Sequence, residues 1–216
     1  MSKDSTPVGK DHFAYIAAHT IQEDAFLRDL RAAAAAAGLP EIHIAPEQAA
    51  LLQILLKLRS ARHVVEVGTL GGYSAIAMAR ALPSMGKVRT IEIEPKHAEF
   101  ARSWIAKSDV KDRIEVLVGA GQNLLGMMPG NSADAVFLDA DKAGYVGYLK
   151  ESMRILRPNG LLLADNVLAD GDVVKKTRLS ETAKAIQAFN DAVAATPGLR
   201  AIILPIGDGC LCGVRD

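Results

Sequence analysis

An open α/β fold, with a mostly parallel sheet of seven strands whose last strand runs antiparallel, is the architecture this sequence predicts. Three observations carry it. From about residue 61 onward, short apolar runs alternate with segments of helical periodicity, the pattern of parallel strands joined by right-handed crossovers. One run, Val64-Val-Glu-Val67, enters Gly68-Thr-Leu-Gly-Gly72 and then the helical stretch Tyr73-Ser-Ala-Ile-Ala-Met-Ala79, which reads as buried strand, tight turn and helix N-terminus. The last two runs, Leu199–Leu204 and Gly209–Val214, flank Pro205-Ile-Gly-Asp-Gly209, a connection short enough for an antiparallel hairpin.

In chain order, residues 1–10 show no periodicity and are expected to be mobile. Residues 11–60 form N-terminal helices. Apolar positions from Ala14 to Ala37 support helix up to the stop at Gly38-Leu-Pro40, with a break near Thr20, and the alanine run Ala32–Ala37 suits close packing or a dimer contact. Ile42-His-Ile-Ala45 is an extended link, and Pro46 opens a helix that continues to Arg59. Residues 61–216 form the core of a single domain, 1–216. After the first strand and turn come a second strand at Lys87–Glu92, a helix from Lys96 to about Lys107, and a third strand at Arg113–Val118. A short helix follows Gly119-Ala-Gly121. The fourth strand is Asp134–Asp139 and its helix Gly144–Leu156. Arg157-Pro-Asn-Gly160 turns into the fifth strand, Leu161–Asp165, and Ser180–Ala195 is the last helix.

Composition excludes several classes. At 216 residues, half of them hydrophobic, the chain can bury one sizeable core. Lys+Arg and Asp+Glu are equal at 25 each, which gives no electrostatic reason to expect a nucleic-acid or membrane-surface partner. No secretory signal pattern and no apolar run near the roughly 18 residues of a membrane span are present, so a cytoplasmic protein is expected. Cys210 and Cys212 share one strand face and read as small apolar filler, since no further cysteine exists to complete a thiolate site.

Chemistry is expected at the carboxyl ends of the strands, where ligands gather in open α/β sheets. The glycine turn lets backbone approach a ligand, and its helix N-terminus offers free N–H groups. Its spacing, Gly68-x-x-Gly71-Gly72, is neither the dinucleotide fingerprint nor the triphosphatase loop. Glu66 precedes that turn. Glu92 ends the second strand about 20 residues on, where an acid can accept both hydroxyls of a ribose, and Glu94 lies near enough to compete for the role. Asp139 ends the fourth strand, and Asp165 and Asn166 end the fifth. On adjacent strands those ends stand about 5 Å apart. Two carboxylates and an amide with no nearby Cys or His suit a hard divalent cation, Mg²⁺ first, then Ca²⁺ or Mn²⁺. Carboxylates so close without a cation would force a proton onto one.

Taken together, Glu66-Val-Gly-Thr-Leu-Gly-Gly-Tyr-Ser74, Ile91-Glu-Ile-Glu-Pro95, Asp139-Ala-Asp-Lys142, Asp165-Asn-Val167 and Pro205-Ile-Gly-Asp-Gly209 resemble the motifs of the cation-dependent O-methyltransferases of the catechol and caffeoyl-CoA type, particularly the small bacterial members. The likeness runs from about Ile42 to Val214 and extends to a helical N-terminal segment. It implies a Rossmann-like class I methyltransferase fold, an S-adenosylmethionine donor, a small aromatic acceptor with adjacent hydroxyls and a homodimer. By the same resemblance Glu66, Gly68 and Ser74 line the methionine end of the cofactor, Glu92 holds its ribose, and Gly119, Ala120 and Gly121 pass near the adenine. Asp139, Asp165 and Asn166 bind the cation, with Asp139 also beside the cofactor, Lys142 takes the phenolic proton, and Asp141 lies between metal and substrate. Tyr145 and Tyr148 suit either ring stacking or packing, the Phe189–Asn190 pair matches a family pair without a fixed role, and no histidine shows ligand spacing. Ile42-His-Ile-Ala45 and the 168–179 loop flank the acceptor, and the loop's Lys175, Lys176 and Arg178 read as a solvated basic patch, with reach to a phosphate or carboxylate as the alternative. A cofactor-binding scaffold without turnover and a nicotinamide-dependent reductase are the competing readings. The glycine spacing opposes the reductase, and the Asp139, Lys142, Asp165 and Asn166 set opposes the scaffold.

Overall fold

In the computed structural model, residues 6–216 are described, so the first half of the segment expected to be mobile lies outside the described residues. Regular structure starts earlier than expected, with helix α1 at Lys10–His19, followed after a break by α2 at Ala25–Ala36. The break falls where Thr20 suggested it, and Asp24 caps α2 by accepting the Leu27 N–H at 2.9 Å. Helix α3 spans Pro46–Arg59, with Pro46 in its first turn and Ser60 in the left-handed region at its end. The alanine run packs along one line only. Leu27, Leu30 and Ala34 are buried, while Ala32, Ala35 and Ala36 face outward.

Seven strands make one sheet in the order β3-β2-β1-β4-β5-β7-β6. They are β1 His63–Val67, β2 Lys87–Glu92, β3 Ile114–Val118, β4 Ala133–Leu138, β5 Leu156–Ala164, β6 Leu199–Leu204 and β7 Cys210–Arg215. Strand β7 is antiparallel to both β5 and β6, as the hairpin predicted, and inserts between them. Strand β5 begins five residues before its expected start at Leu161. Ala133 pairs with Leu156 and Ala135 with Leu161, so Arg157-Pro-Asn-Gly160 is a bulge inside the strand rather than a turn before it. Asn159, at φ 61°, turns the chain through that bulge.

Alternation along the strands divides the core in two. Val64, Ala135, Phe137, Leu161 and Leu163 face α2, α3, α4 (Tyr73–Ala81) and α5 (Pro95–Ile105). Val65, Val67, Val136, Leu138, Leu162 and Ala164 face α6 (Gly121–Met127), α7 (Tyr145–Ile155) and α8 (Glu181–Ala195). Period-two side chains facing opposite ways are what a sheet covered on both sides requires. Cys212 packs against the first layer and Cys210 is buried, both as free thiols. No described helix is long and apolar enough to cross a membrane. The strand order reverses between β1 and β4, and the crevice beyond their carboxyl ends is the place for a ligand.

Candidate active site

A cavity of about 1050 Å³ opens there. One wall is backbone. Gly68 has φ 101°, and a Cβ at this position would overlap the Asp139 carbonyl oxygen, so β1 and β4 converge only because residue 68 has no side chain. The Val67 carbonyl accepts the Asp139 N–H at 2.8 Å and locks that convergence. Gly72, at φ 87°, is the N-cap of α4 and supplies no side-chain cap. Glu92 binds the turn from below. Its Oε2 accepts the N–H groups of Thr69 at 3.1 Å and Leu70 at 2.8 Å, and its Oε1 accepts Glu94 N–H at 3.0 Å. Leu70 sits at φ 47°, and these bonds offset the cost of that conformation. Glu92 lines the cavity while Glu94 is exposed outside it, which separates the two acids that spacing left unresolved.

Gly68, Ser74, Glu92, Gly119, Ala120 and Gly121 all line this wall. Glu66 lies one layer behind it, fully buried, and neither carboxyl oxygen has a hydrogen-bond partner. Burial pushes its pKa up to about 8, and the nearby Ser74 and Thr90 hydroxyls offset only part of that rise. An orphaned carboxyl beneath a glycine turn fits a ligand that brings donors or positive charge to that spot.

The opposite wall is made of side chains. Strand β4 pairs with β5 at Leu138 and Ala164, which brings Asp139 beside Asp165 and Asn166. Lys142 extends its ammonium into this group. Its Nζ lies 3.4 Å from Asp139 Oδ1, 3.0 Å from Asn166 Oδ1 and 2.6 Å from the Tyr145 hydroxyl. Burial raises the pKa of Asp139, opposed by the Lys142 charge. Burial and then the charge of Asp139 raise that of Asp165 to about 6. Among the described residues no three His, Cys, Asp or Glu side chains gather as a metal group. The candidate set is two carboxylates and an amide, of which Asp139 Oδ1 and Asn166 Oδ1 already face the Lys142 ammonium. Such a set fits Mg²⁺, which keeps several water or substrate oxygens in its shell.

Some expectations about individual residues change. Asp141 lines the cavity beside Asp139 and is also held locally, accepting Gly144 N–H at 2.9 Å and the Tyr148 hydroxyl at 2.5 Å. Tyr145 is buried and cannot stack on an acceptor. Its hydroxyl reaches the Leu138 and Asp165 carbonyls, both at 3.1 Å, and Phe189 packs edge-on against its ring. Asn190 donates to the Val167 carbonyl at 2.9 Å, which gives the Phe189–Asn190 pair a role in holding the backbone next to Asn166. Ile42, His43, Ile44 and Ala45 line the cavity, but only Ala169 and Asp170 of the 168–179 loop reach it. Lys175 pairs instead with Asp172.

Beyond the expected catalytic and binding residues, Gln48 and Asp208 also line the cavity. Gln48 donates to Asp165 Oδ1 at 2.5 Å. Asp208 accepts Asp170 N–H at 2.9 Å through each carboxylate oxygen, steadying a loop with Asn166, Ala169 and Asp170 at positive φ. The Nε2 of His43 is buried without a partner, and burial lowers its pKa. Spacing could flag only Asp208, which sits inside the Pro205–Gly209 motif.

Comparison with known proteins agrees with this geometry. The O-methyltransferase family profile matches residues 17–215. A catechol O-methyltransferase of Mycobacterium tuberculosis is 37% identical over 87% of this chain and 84% of its own length. One of Niastella koreensis is 36% identical over 79% and 78%. The structure of an O-methyltransferase from Bacillus cereus in complex with SAH superposes with a TM-score of 0.87 at 34% identity, covering 94% of this chain and 96% of that one. A profile that matches nearly the whole chain and relatives above 30% identity along most of their length show that this chain belongs to the O-methyltransferase family.

Proposed function

We propose that the protein transfers the methyl group of S-adenosylmethionine to one hydroxyl of a catechol-like acceptor, with a divalent cation at Asp139, Asp165 and Asn166. The observation that carries this reading is the meeting, in one cavity, of a backbone-built wall and an oxygen cluster that already surrounds an ammonium. The relative from M. tuberculosis named a catechol O-methyltransferase supports the acceptor class. When bound, the cation supplies Lewis acidity that lowers the pKa of a chelating hydroxyl.

The chain's own residues do the rest. Gly68, Ser74 and Gly119–Gly121 give the cofactor close backbone contact, and Glu92, with its lone pairs only partly used, remains an acceptor for ribose hydroxyls. As a neutral amine, with its own proton released beforehand, Lys142 Nζ can take the proton leaving the acceptor hydroxyl, and Tyr145 holds that nitrogen in place. The freed oxygen attacks the methyl carbon in line: a C–O bond forms, the C–S bond breaks, and its electron pair neutralises the sulfonium. Positioning supplies most of the rate gain. The reading includes a cytoplasmic homodimer, with the outward-facing alanines Ala32, Ala35 and Ala36 of α2 at the contact.

The test is methyl transfer to caffeate with Mg²⁺ and with excess chelator. Turnover abolished by chelator and restored by Mg²⁺ is expected. Chelator-resistant turnover would remove the cation, and saturable cofactor binding without turnover would favour the scaffold.

A further inference from the structure

Gln48 is 117 residues from Asp165 in sequence, and its side chain is buried between two fixed partners. At one end Oε1 accepts the Ala45 N–H at 2.9 Å, and at the other Nε2 donates to Asp165 Oδ1 at 2.5 Å. The orientation of the carboxamide is therefore determined. A backbone N–H can only donate, so the oxygen must face Ala45 and the NH₂ must face Asp165. The third side is closed by Gly207, where any Cβ would come within 2.5 Å of the Gln48 carboxamide carbon. Ala45 belongs to the acceptor wall and Asp165 to the oxygen cluster, and both line the same cavity.

We propose that Gln48 is a positioning residue for the cation site: it holds Oδ1 of Asp165 toward α3 and leaves the second oxygen to ligate alongside Asp139 and Asn166. This rests on the cation reading above. A carboxylate free to rotate would offer the cation either oxygen and would lose part of its orientation, whereas one clamped through Oδ1 is preorganised. Because the clamp is anchored on Ala45, the N-terminal segment that shapes the acceptor wall also fixes a cation ligand. The site is thus assembled across α3 and β5, not within β4 and β5 alone.

The test is calorimetric titration of Mn²⁺ into protein saturated with adenosylhomocysteine, wild type against Gln48→Met, with adenosylhomocysteine affinity measured separately. Gln48→Met keeps the side-chain volume and removes both hydrogen bonds. A Mn²⁺ Kd raised about 10- to 100-fold, with adenosylhomocysteine Kd within about twofold, is expected. Should that variant melt below the assay temperature, Gln48→Asn, which keeps an amide too short to span both partners, gives the same reading. Wild type that binds Mn²⁺ and variants that bind it equally well overturn the role of Gln48 alone. A parallel loss of adenosylhomocysteine affinity reduces that role to general packing and also overturns it. Wild type that binds no Mn²⁺ overturns the cation reading and this role with it.

Discussion

The two walls of the cavity are built by different means. On the β1–β2 side the chain presents its backbone: Gly68 allows a close crossing, Gly72 opens a helix, and Glu92 Oε2 accepts the N–H groups of Thr69 and Leu70. On the β4–β5 side it presents crowded side chains, with Asp139 and Asn166 on the Lys142 ammonium and Asp165 beside them, and burial raises the pKa of both acids. Rigid backbone suits a ligand of constant shape that is bound in every cycle. Clustered charge suits a step in which a proton leaves and charge moves. If the walls are separable, damage to one should leave the other measurable.

The largest break is expected at Asp165→Ala. It removes one carboxylate of the proposed cation set and should lower kcat/KM about 10³-fold, equivalent to ~4 kcal/mol, while adenosylhomocysteine affinity stays within about twofold. Steady-state kinetics beside calorimetry reads both quantities. Equal losses in turnover and cofactor binding would show the walls to be one unit.

Gly68→Ala attacks the other wall. The substitution places a Cβ against the Asp139 carbonyl at a φ of 101°, so strain and overlap together should cost roughly 2–4 kcal/mol of stability. Chemical denaturation measures the cost, and cofactor affinity should fall with it. Because the overlap is with Asp139, this variant also tests whether the β1–β4 crossing holds the oxygen cluster in register.

That crossing explains how much could be read from the chain. Strands, order of elements and the glycine turn follow from local patterns, since a buried parallel strand is a continuous apolar run and a tight turn needs glycine. Asp139, Asp165 and Asn166 were legible because each ends such a run and strand ends converge. Gln48 was not legible, because nothing local distinguishes a glutamine in α3 from a solvated one until α3 is laid against β5. Tyr145 was visible three residues after Lys142, yet its buried hydroxyl depends on how α7 leaves β4. The bulge in β5 escaped because Pro-Asn-Gly reads as a turn whether or not the strand has already begun.

Glu66→Gln sharpens the comparison through pH. The native Glu66 pKa of about 8 lies above the ordinary 4.5, so between those values the unfolded chain releases a proton that the folded chain keeps. Stability of the cofactor-free wild type should therefore fall as pH rises from about 4.5 to 8, by on the order of a few kcal/mol from this group. The variant lacks the titration. Its denaturation midpoint should match wild type near pH 4.5, exceed it near pH 8, and depend less on pH in between. An unchanged pH profile would mean that Glu66 is solvated or paired in the free protein.

The smallest expected effect is the most discriminating. In Tyr145→Phe the ring keeps its packing on Phe189, but Lys142 Nζ loses its 2.6 Å partner and retains Asn166, Asp139 and the Asp165 carbonyl. One hydrogen bond to a charged group is worth about 1.5–3 kcal/mol, and part of it is recovered by the remaining oxygens. A fall in kcat of roughly 10-fold with unchanged KM for the cofactor is therefore expected. A change confined to kcat would assign Tyr145 to the proton-handling wall through Lys142. A rise in cofactor KM of the same size would instead mean that the Leu138 carbonyl, which the same hydroxyl reaches at the end of β4, transmits the loss to the Val67–Asp139 crossing. In that case the backbone wall and the charged wall share a support at the tip of β4, and the separation between them stops there.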